Sequence, residues 1–156
     1  MVGQAQRDYF QTLYQLAAEV NSARSPENVL HSIVEITAKG VGAKGCSLML
    51  LTPDKAQLLH TAAYGLSDRY VRKGPVSVDR SISQALEGQA VAVRNAVVDA
   101  RIQYRQQAQQ EGIASILCVP MMLKEGTVGV MRVYTGQPRE FNDDDVYFVC
   151  AAANLG

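Results

Sequence analysis

Three kinds of side chain in this 156-residue sequence have types and spacings that invite chemistry: three cysteines, two histidines and the aspartate run Asp143-Asp144-Asp145. Cys46, Cys118 and Cys150 form an odd set with no CxxC spacing, each inside an apolar run. A nucleophilic thiolate needs exposure and a positive neighbour, so all three read as reduced core cysteines. Zinc needs about four ligands, and cysteines and histidines this scattered offer no cluster. One histidine can hold a haem iron, and His60 is the candidate, on the same strand face as Tyr64. The preferred reading is a strand histidine hydrogen-bonded in the core or exposed at the sheet edge. Serine catalysis finds no G-x-S-x-G elbow and only two histidines. The three aspartates suggest a metal site until their position is considered. At a helix N-terminus they offset the dipole and face water. No catalytic motif is left, so the elements must be read for a pocket.

The bulk numbers fit one globular domain with a real core. Apolar residues make up 47% and charged residues 19%, with formal net charge zero. A nucleic-acid surface needs a lysine and arginine excess, and here the basic residues are scattered. No apolar segment approaches the ~20 residues of a membrane helix. The N-terminal MVGQAQRDYF lacks the apolar core of an export signal, which predicts a cytoplasmic protein.

The strongest structural signal runs from Gly112 to Tyr134. Two apolar strands, Ala114–Leu123 and Thr127–Tyr134, flank a tight turn at Lys124-Glu125-Gly126. Upstream, Phe10, Leu13, Leu16, Ala17 and Val20 form a helical stripe, giving a first helix over about 7–24. Ser25-Pro26-Glu27 starts a second helix, 26–41, through a capping hydroxyl, a proline at the first position and a carboxylate on the dipole. Its stripe is Leu30, Ile33, Val34, Thr37 and Val41, with His31 beside it, partly exposed. Strands Cys46–Leu51 and Leu58–Tyr64 then form a hairpin across 52–57. Alternation puts Ser47, Met49 and Leu51 on one face, Cys46, Leu48 and Leu50 on the other, and His60, Ala62 and Tyr64 together. Both faces read as buried, which implies cover on both sides of the sheet.

The stretch from Leu66 to Arg80 is irregular. Ser81–Glu87 reads as a short helix closed by Gly88, Ala90–Val93 as a brief strand, and Gln103–Glu111 as a polar helix ended by Gly112. The last helix starts at Asn142 and spans 143–156, with Val146, Val149, Cys150 and Ala153 as its stripe. That stripe is unfinished at Gly156, so the chain reads as a fragment of a larger signalling protein. Hairpins at both ends of the sheet, 44–135, give an α+β pattern with a mainly antiparallel sheet.

This order, and four local sequences, resemble the GAF domain family from about Tyr9 onward. The matches are CSLMLLTPD at 46–54, EGQAVAVRNAVVDAR at 87–101, EGIASILCVPMMLKEGTVGVMRVY at 111–134 and FNDDDVYFVCAAA at 141–153. The resemblance implies a profilin-like fold with six antiparallel strands. The first, second and last helices lie on one face, and Leu66–Gly112 roofs a small-molecule pocket on the other. It also implies a non-catalytic regulatory sensor, a homodimer through the terminal helices, and an effector domain in the full-length protein.

Carried over onto this chain, the ligand-binding positions are Ser47 and Met49 on the first strand and Tyr64 and Gly65 at the end of the second. Ile82 and Ser83 start the short roof helix, where backbone amides can meet an anion. Asp99, Tyr104, Gln107 and Ala108 lie in the connection and roof helix, and Ser115 is the polar contact on the central strand. The departures narrow the ligand. Cyclic-nucleotide-binding members have Asn-Lys where this chain has Tyr134-Thr135, so cyclic GMP or AMP is not favoured, although Phe141 and Asp143 echo the rest of that motif. No cysteine occurs between Tyr64 and Leu117, which excludes covalent bilin attachment in the roof. Free-methionine sulfoxide reductases resemble this fold but use low-pKa cysteines in roof loops. A second rival is a structural dimerisation module whose pocket is filled by Met49, Tyr64, Tyr104, Met121 and Met131. Neither the ligand nor a cofactor is named by these residues.

Overall fold

The computed structural model describes residues 2–21, 25–52, 57–67, 76–77, 90–93, 109–123 and 126–154. The elements are α1 (Val2–Val20), α2 (Pro26–Val41), β1 (Gly45–Leu51), β2 (Gln57–Tyr64), β3 (Val76–Ser77), β4 (Val91–Val93), β5 (Ser115–Leu123), β6 (Gly126–Thr135) and α3 (Asp143–Ala153). The strands form one six-stranded sheet in the order β3-β2-β1-β6-β5-β4. Every neighbouring pair is antiparallel. The two hairpins therefore meet side by side, with β1 and β6 at the centre. No described helix is long and apolar enough to cross a membrane.

Local chemistry explains the helix ends. Ser25 is extended at the α2 N-cap and its hydroxyl accepts from the Asn28 amide, with Pro26 at the first helical position. Gly42 closes α2 in the left-handed conformation at φ 70°. α1 begins earlier than the apolar stripe suggests, at Val2 rather than about residue 7. The sixth strand, β3, has only two residues, too few for any periodicity to mark it. Of the expected roof helices, Ser81–Glu87 lies outside the described residues, as does most of Gln103–Glu111, whose last turn at 109–111 is helical.

The described helices α1, α2 and α3 pack on one sheet face. Leu16, Ile33, Val34, Phe148 and Val149 meet Cys46, Leu48, Leu117, Val119, Met131 and Val133 in a single buried cluster. A second cluster lines the opposite face and includes Met49, Leu58, Val91, Ile116, Val130 and Tyr134. The expectation that both faces are buried holds, and the helices identify the face of Cys46 and Leu48 as theirs.

A β-bulge corrects the expected faces of β2. Leu48 pairs with Ala62 but Met49 pairs with His60, so Thr61 is an extra residue. Beyond it the alternation inverts. Ala62 and Tyr64 pack against the helix-side cluster, while Leu58 belongs to the opposite one. The expected grouping of His60 with Tyr64 falls on a side chain outside the described residues.

The aspartate run needs a second correction. Asp143 and Asp144 are not buried, but Asp145 is only 5% exposed. Asn142 and Asp145 form a reciprocal capping box at the start of α3. The same carboxylate accepts the Tyr9 hydroxyl of α1 and pairs with Arg139, whose Nη2 lies 3.1 Å away. Arg139 also donates from Nη1 to the Val41 carbonyl at the end of α2, at 2.6 Å. One carboxylate thus ties α1 and α2 to α3, backed by the Tyr9–Phe148 ring stack at 4.4 Å. The apolar stripe shifts with it, so Phe148, Val149, Ala152 and Ala153 are the buried residues of α3 rather than Val146 and Cys150.

This network gives a pH prediction. Burial, then the Asp145 hydrogen bond and its negative charge, hold the Tyr9 phenol well above its ordinary pKa. An unfolded tyrosine ionises near pH ~10. Above that pH the unfolded chain loses its proton while folded Tyr9 keeps it. The stabilisation is therefore complete below pH ~10 and fades as pH rises toward the folded pKa. In urea denaturation at pH 9 and 11, Tyr9→Phe should lose less stability over that interval than the wild type. Equal losses would show that Tyr9 carries no such linkage.

Candidate functional site

Among the described side chains, the face opposite the helices carries Ser47, Tyr134 and Arg132 on an apolar floor. Ser47 is fully buried on β1, and its Oγ lies 2.9 Å from the Tyr134 Oη of β6. Tyr134 is itself 1% exposed. Arg132, two residues before it on β6, is 4% exposed and stands opposite Ser47 of β1 and Cys118 of β5 in register. Met131 and Val133 on either side of Arg132 belong to the helix-side cluster, so alternation directs Arg132 to the face of Ser47 and Tyr134. Met49, Ile116, Cys118 and Val130 supply the apolar surroundings.

Electrostatics couple the group. Burial pushes the Tyr134 phenol up, while the Arg132 charge and the Ser47 hydrogen bond act in the opposite direction. The phenol thus stays protonated at neutral pH as a hydrogen-bonding hydroxyl beside a fixed positive charge.

Ser47 and Met49 are brought together on this floor, as expected of them. Tyr64 and Ser115 are not. Tyr64 packs on the helix-covered face, with the Lys39 Nζ 5.7 Å from its ring centroid. The β2 bulge is the reason. The Ser115 hydroxyl accepts from the Arg139 amide at 2.9 Å, which fastens the connection leading to α3. It shares the parity of Leu117 and Val119 on β5, which face the helices, so it is not a floor contact. Gly65 follows β2 at φ 74°, where a Cβ would stand 2.2 Å from the Lys44 carbonyl oxygen. Its conformation has a steric cause that needs no ligand. Ile82, Ser83, Asp99, Tyr104, Gln107 and Ala108 lie outside the described residues.

Two residues of the floor, Arg132 and Tyr134, are not among the positions that the family resemblance implies. A signal for them exists in MRVY. A lone arginine inside a long apolar strand, with a tyrosine two positions on, marks a polar pair on one face.

Burial, not reactivity, describes the strand thiols. Cys46 is fully buried and Cys118 is 1% exposed. Burial pushes the thiols of Cys46 and of half-buried Cys150 up. Native protein treated with iodoacetamide at pH 8 should therefore leave Cys46 unalkylated over an hour, with full labelling only in denaturant. Peptide mass spectrometry reads the outcome, and rapid native labelling of Cys46 would contradict its burial. Among the described residues, no group of three or more His, Cys, Asp or Glu side chains is placed to hold a metal ion. An open groove of about 280 Å³ between α1 and α2, lined by Thr12, Gln15, Glu35, Ile36, Lys39 and Gly40, lies away from this floor. Its charges are the exposed Lys39–Glu35 ion pair, so solvent screens it.

Comparison with known proteins follows the same geometry. The family profile described as GAF domain matches residues 23–155. Among solved structures, the GAF domain of the Acinetobacter phosphoenolpyruvate-protein phosphotransferase is similar at a TM-score of 0.78 and 23% identity, covering 94% of this chain and 88% of that one. A domain of a putative two-component sensor histidine kinase from Sinorhizobium meliloti reaches 0.72 at 22% identity, covering 86% and 90%. Free methionine-R-sulfoxide reductase from Neisseria meningitidis, solved with its substrate, reaches 0.76 at 14% identity, covering 94% and 84%. At these identities the solved structures establish the fold alone. No curated protein sequence matches the chain significantly.

Proposed function

The chain belongs to the GAF domain family, with a six-stranded antiparallel α+β fold, and from that premise we propose that it is a non-catalytic sensor module that binds a small molecule. One observation carries the proposal. The sheet face opposite the helices holds a buried hydrogen-bonded polar group, Ser47 with Tyr134, on an apolar floor. A pocket that orients a ligand has this composition, mostly apolar with a few fixed polar groups. Ser47 and Met49 are its floor contacts. Ile82, Ser83, Asp99, Tyr104, Gln107 and Ala108 complete the ligand-binding set from the roof, as the family resemblance implies.

The signal leaves through the terminal helices. Ligand contact shifts the sheet, and the sheet shifts the bundle formed by α1, α2 and α3. A homodimer through α1 and α3 fits the exposed aromatic rings on those helices, with Tyr14 at 79% and Tyr147 at 69% exposure. An effector domain in the full-length protein receives the movement. Three free cysteines fit a reducing cytoplasm, and zero net charge argues against a nucleic-acid partner.

The rival enzyme reading is a free-methionine sulfoxide reductase, the activity named for the Neisseria fold relative. It requires an accessible low-pKa thiol, and Cys46, Cys118 and Cys150 are all placed against that. The other rival, a dimerisation module with a self-filled pocket, shares the helices but needs no ligand.

Thermal-shift screening against a metabolite and nucleotide library, followed by analytical ultracentrifugation of each hit, tests the proposal. A ligand at ~100 times its Kd should stabilise the fold by about 2.7 kcal/mol. Coupling also demands differential affinity, so the ligand must alter dimer stability or shape. A ligand that binds without either change removes the relay mechanism. An unresponsive protein that is dimeric without any co-purified ligand in native mass spectrometry supports the structural module instead.

A further inference from the structure

We propose that this floor is an anion-recognition site, in which the buried Arg132 guanidinium selects a small ligand bearing a carboxylate or a phosphate. The inference rests on the small-molecule reading above and adds to it the chemical class of ligand.

Position is the first argument. Arg132 sits on β6, one of the two central strands of the same floor, with Ser47 beside it on β1 and Cys118 beside it on β5. Only 4% of it reaches solvent, and strand alternation keeps it away from the helix bundle. A guanidinium stays charged at any physiological pH, and burying one is costly compared with an apolar residue of similar volume. Its cross-strand neighbours on this face are Ser47 and Cys118, with Tyr134 two residues on along β6.

Donor geometry is the second argument. Guanidinium presents five N–H donors in a planar fork that matches two oxygens of a carboxylate or phosphate. Ser47 and Tyr134 place two hydroxyl groups, hydrogen-bonded to each other, on the same face. The floor therefore places a guanidinium on the same face as two hydroxyl groups. Apolar Met49, Ile116 and Val130 around it keep the dielectric low and strengthen any charge-assisted bond. Arg132 makes contacts of its own, so an incoming anion shares or exchanges them. The proposal depends on the charge and its place.

Purified full chain and its Arg132→Met variant are titrated with succinate, with inorganic phosphate and with neutral succinamide at matched ionic strength. Thermal unfolding and calorimetry are the readouts. Wild type should show a saturable stabilisation by succinate or by phosphate, which separates the carboxylate source from the phosphate source. Succinamide should give none, and Arg132→Met should weaken the anion response at least tenfold while still unfolding cooperatively. Should that variant not fold, Arg132→Lys serves. It keeps the charge without the fork, so the apparent Kd should rise about tenfold with anion selectivity intact. The proposal is overturned by an equal response to succinamide, by an undiminished response in the variant that folds, or by no saturable response to either anion. A neutral hit from the metabolite library, with unchanged affinity in Arg132→Met, would sink the anion site yet leave the small-molecule reading standing. A library silent throughout would defeat both.

Discussion

Asp145→Ala should lower the melting temperature by roughly 10 °C, the largest effect expected from a single polar side chain among the described residues. The carboxylate accepts from Tyr9 of α1, pairs with Arg139 and caps the Asn142 amide, all while 5% exposed. Removing it leaves a phenol, a guanidinium and a helix amide short of an acceptor at once. A charged hydrogen bond is worth ~1.5–3 kcal/mol and a cap ~1 kcal/mol, so the sum is about 3–4 kcal/mol. For a domain of this length each kcal/mol moves the midpoint by ~2–4 °C. Asp145→Asn keeps the shape and one acceptor and should lose about half as much. Differential scanning calorimetry of both variants and of a double mutant with Tyr9→Phe is the measurement. The two substitutions share a hydrogen bond, so their costs should fall short of additivity. A shift below ~3 °C for Asp145→Ala would mean that the three helices are not held through this carboxylate.

Gly65→Ala is the second large effect, expected at about 2–4 kcal/mol in the absence of any ligand. Two costs combine. The residue sits at φ 74°, where a Cβ is strained, and that Cβ would meet the Lys44 carbonyl oxygen at 2.2 Å, a backbone atom that cannot rotate away. The start of β1 would have to separate from the end of β2, where Cys46 pairs with Tyr64. Urea denaturation of the ligand-free protein checks this. Unchanged stability combined with weakened ligand binding would instead give Gly65 a contact role in the pocket.

Particular residues mark how far the sequence could be read. The capping role of Ser25, the closure of α2 in a glycine-containing stretch and both hairpins were legible, because caps, turns and strand alternation are fixed by residues a few positions apart. The same alternation separated Ser47 and Met49 from Cys46 and Leu48. Which of these faces carries the helices was not legible, since that depends on where distant α1, α2 and α3 pack.

The misreadings share one cause. Thr61 does not announce itself as a bulge, yet that single extra residue sends Tyr64 to the helix face. Ser115 reads as an ordinary strand serine until Arg139, 24 residues on, engages it. Asp145 looks like its solvated neighbours until Tyr9, 136 residues away in sequence, closes over it. The chain by itself determined the two leading helices, the two hairpins, the last helix, their order and the family, because periodicity and turn chemistry are local. Tertiary structure alone decided which polar groups are buried and with whom. Burial of Arg132 beside Ser47 and Tyr134 arises only when β1, β5 and β6 lie side by side. Desolvation and hydrogen bonding at that site are properties of the assembled sheet.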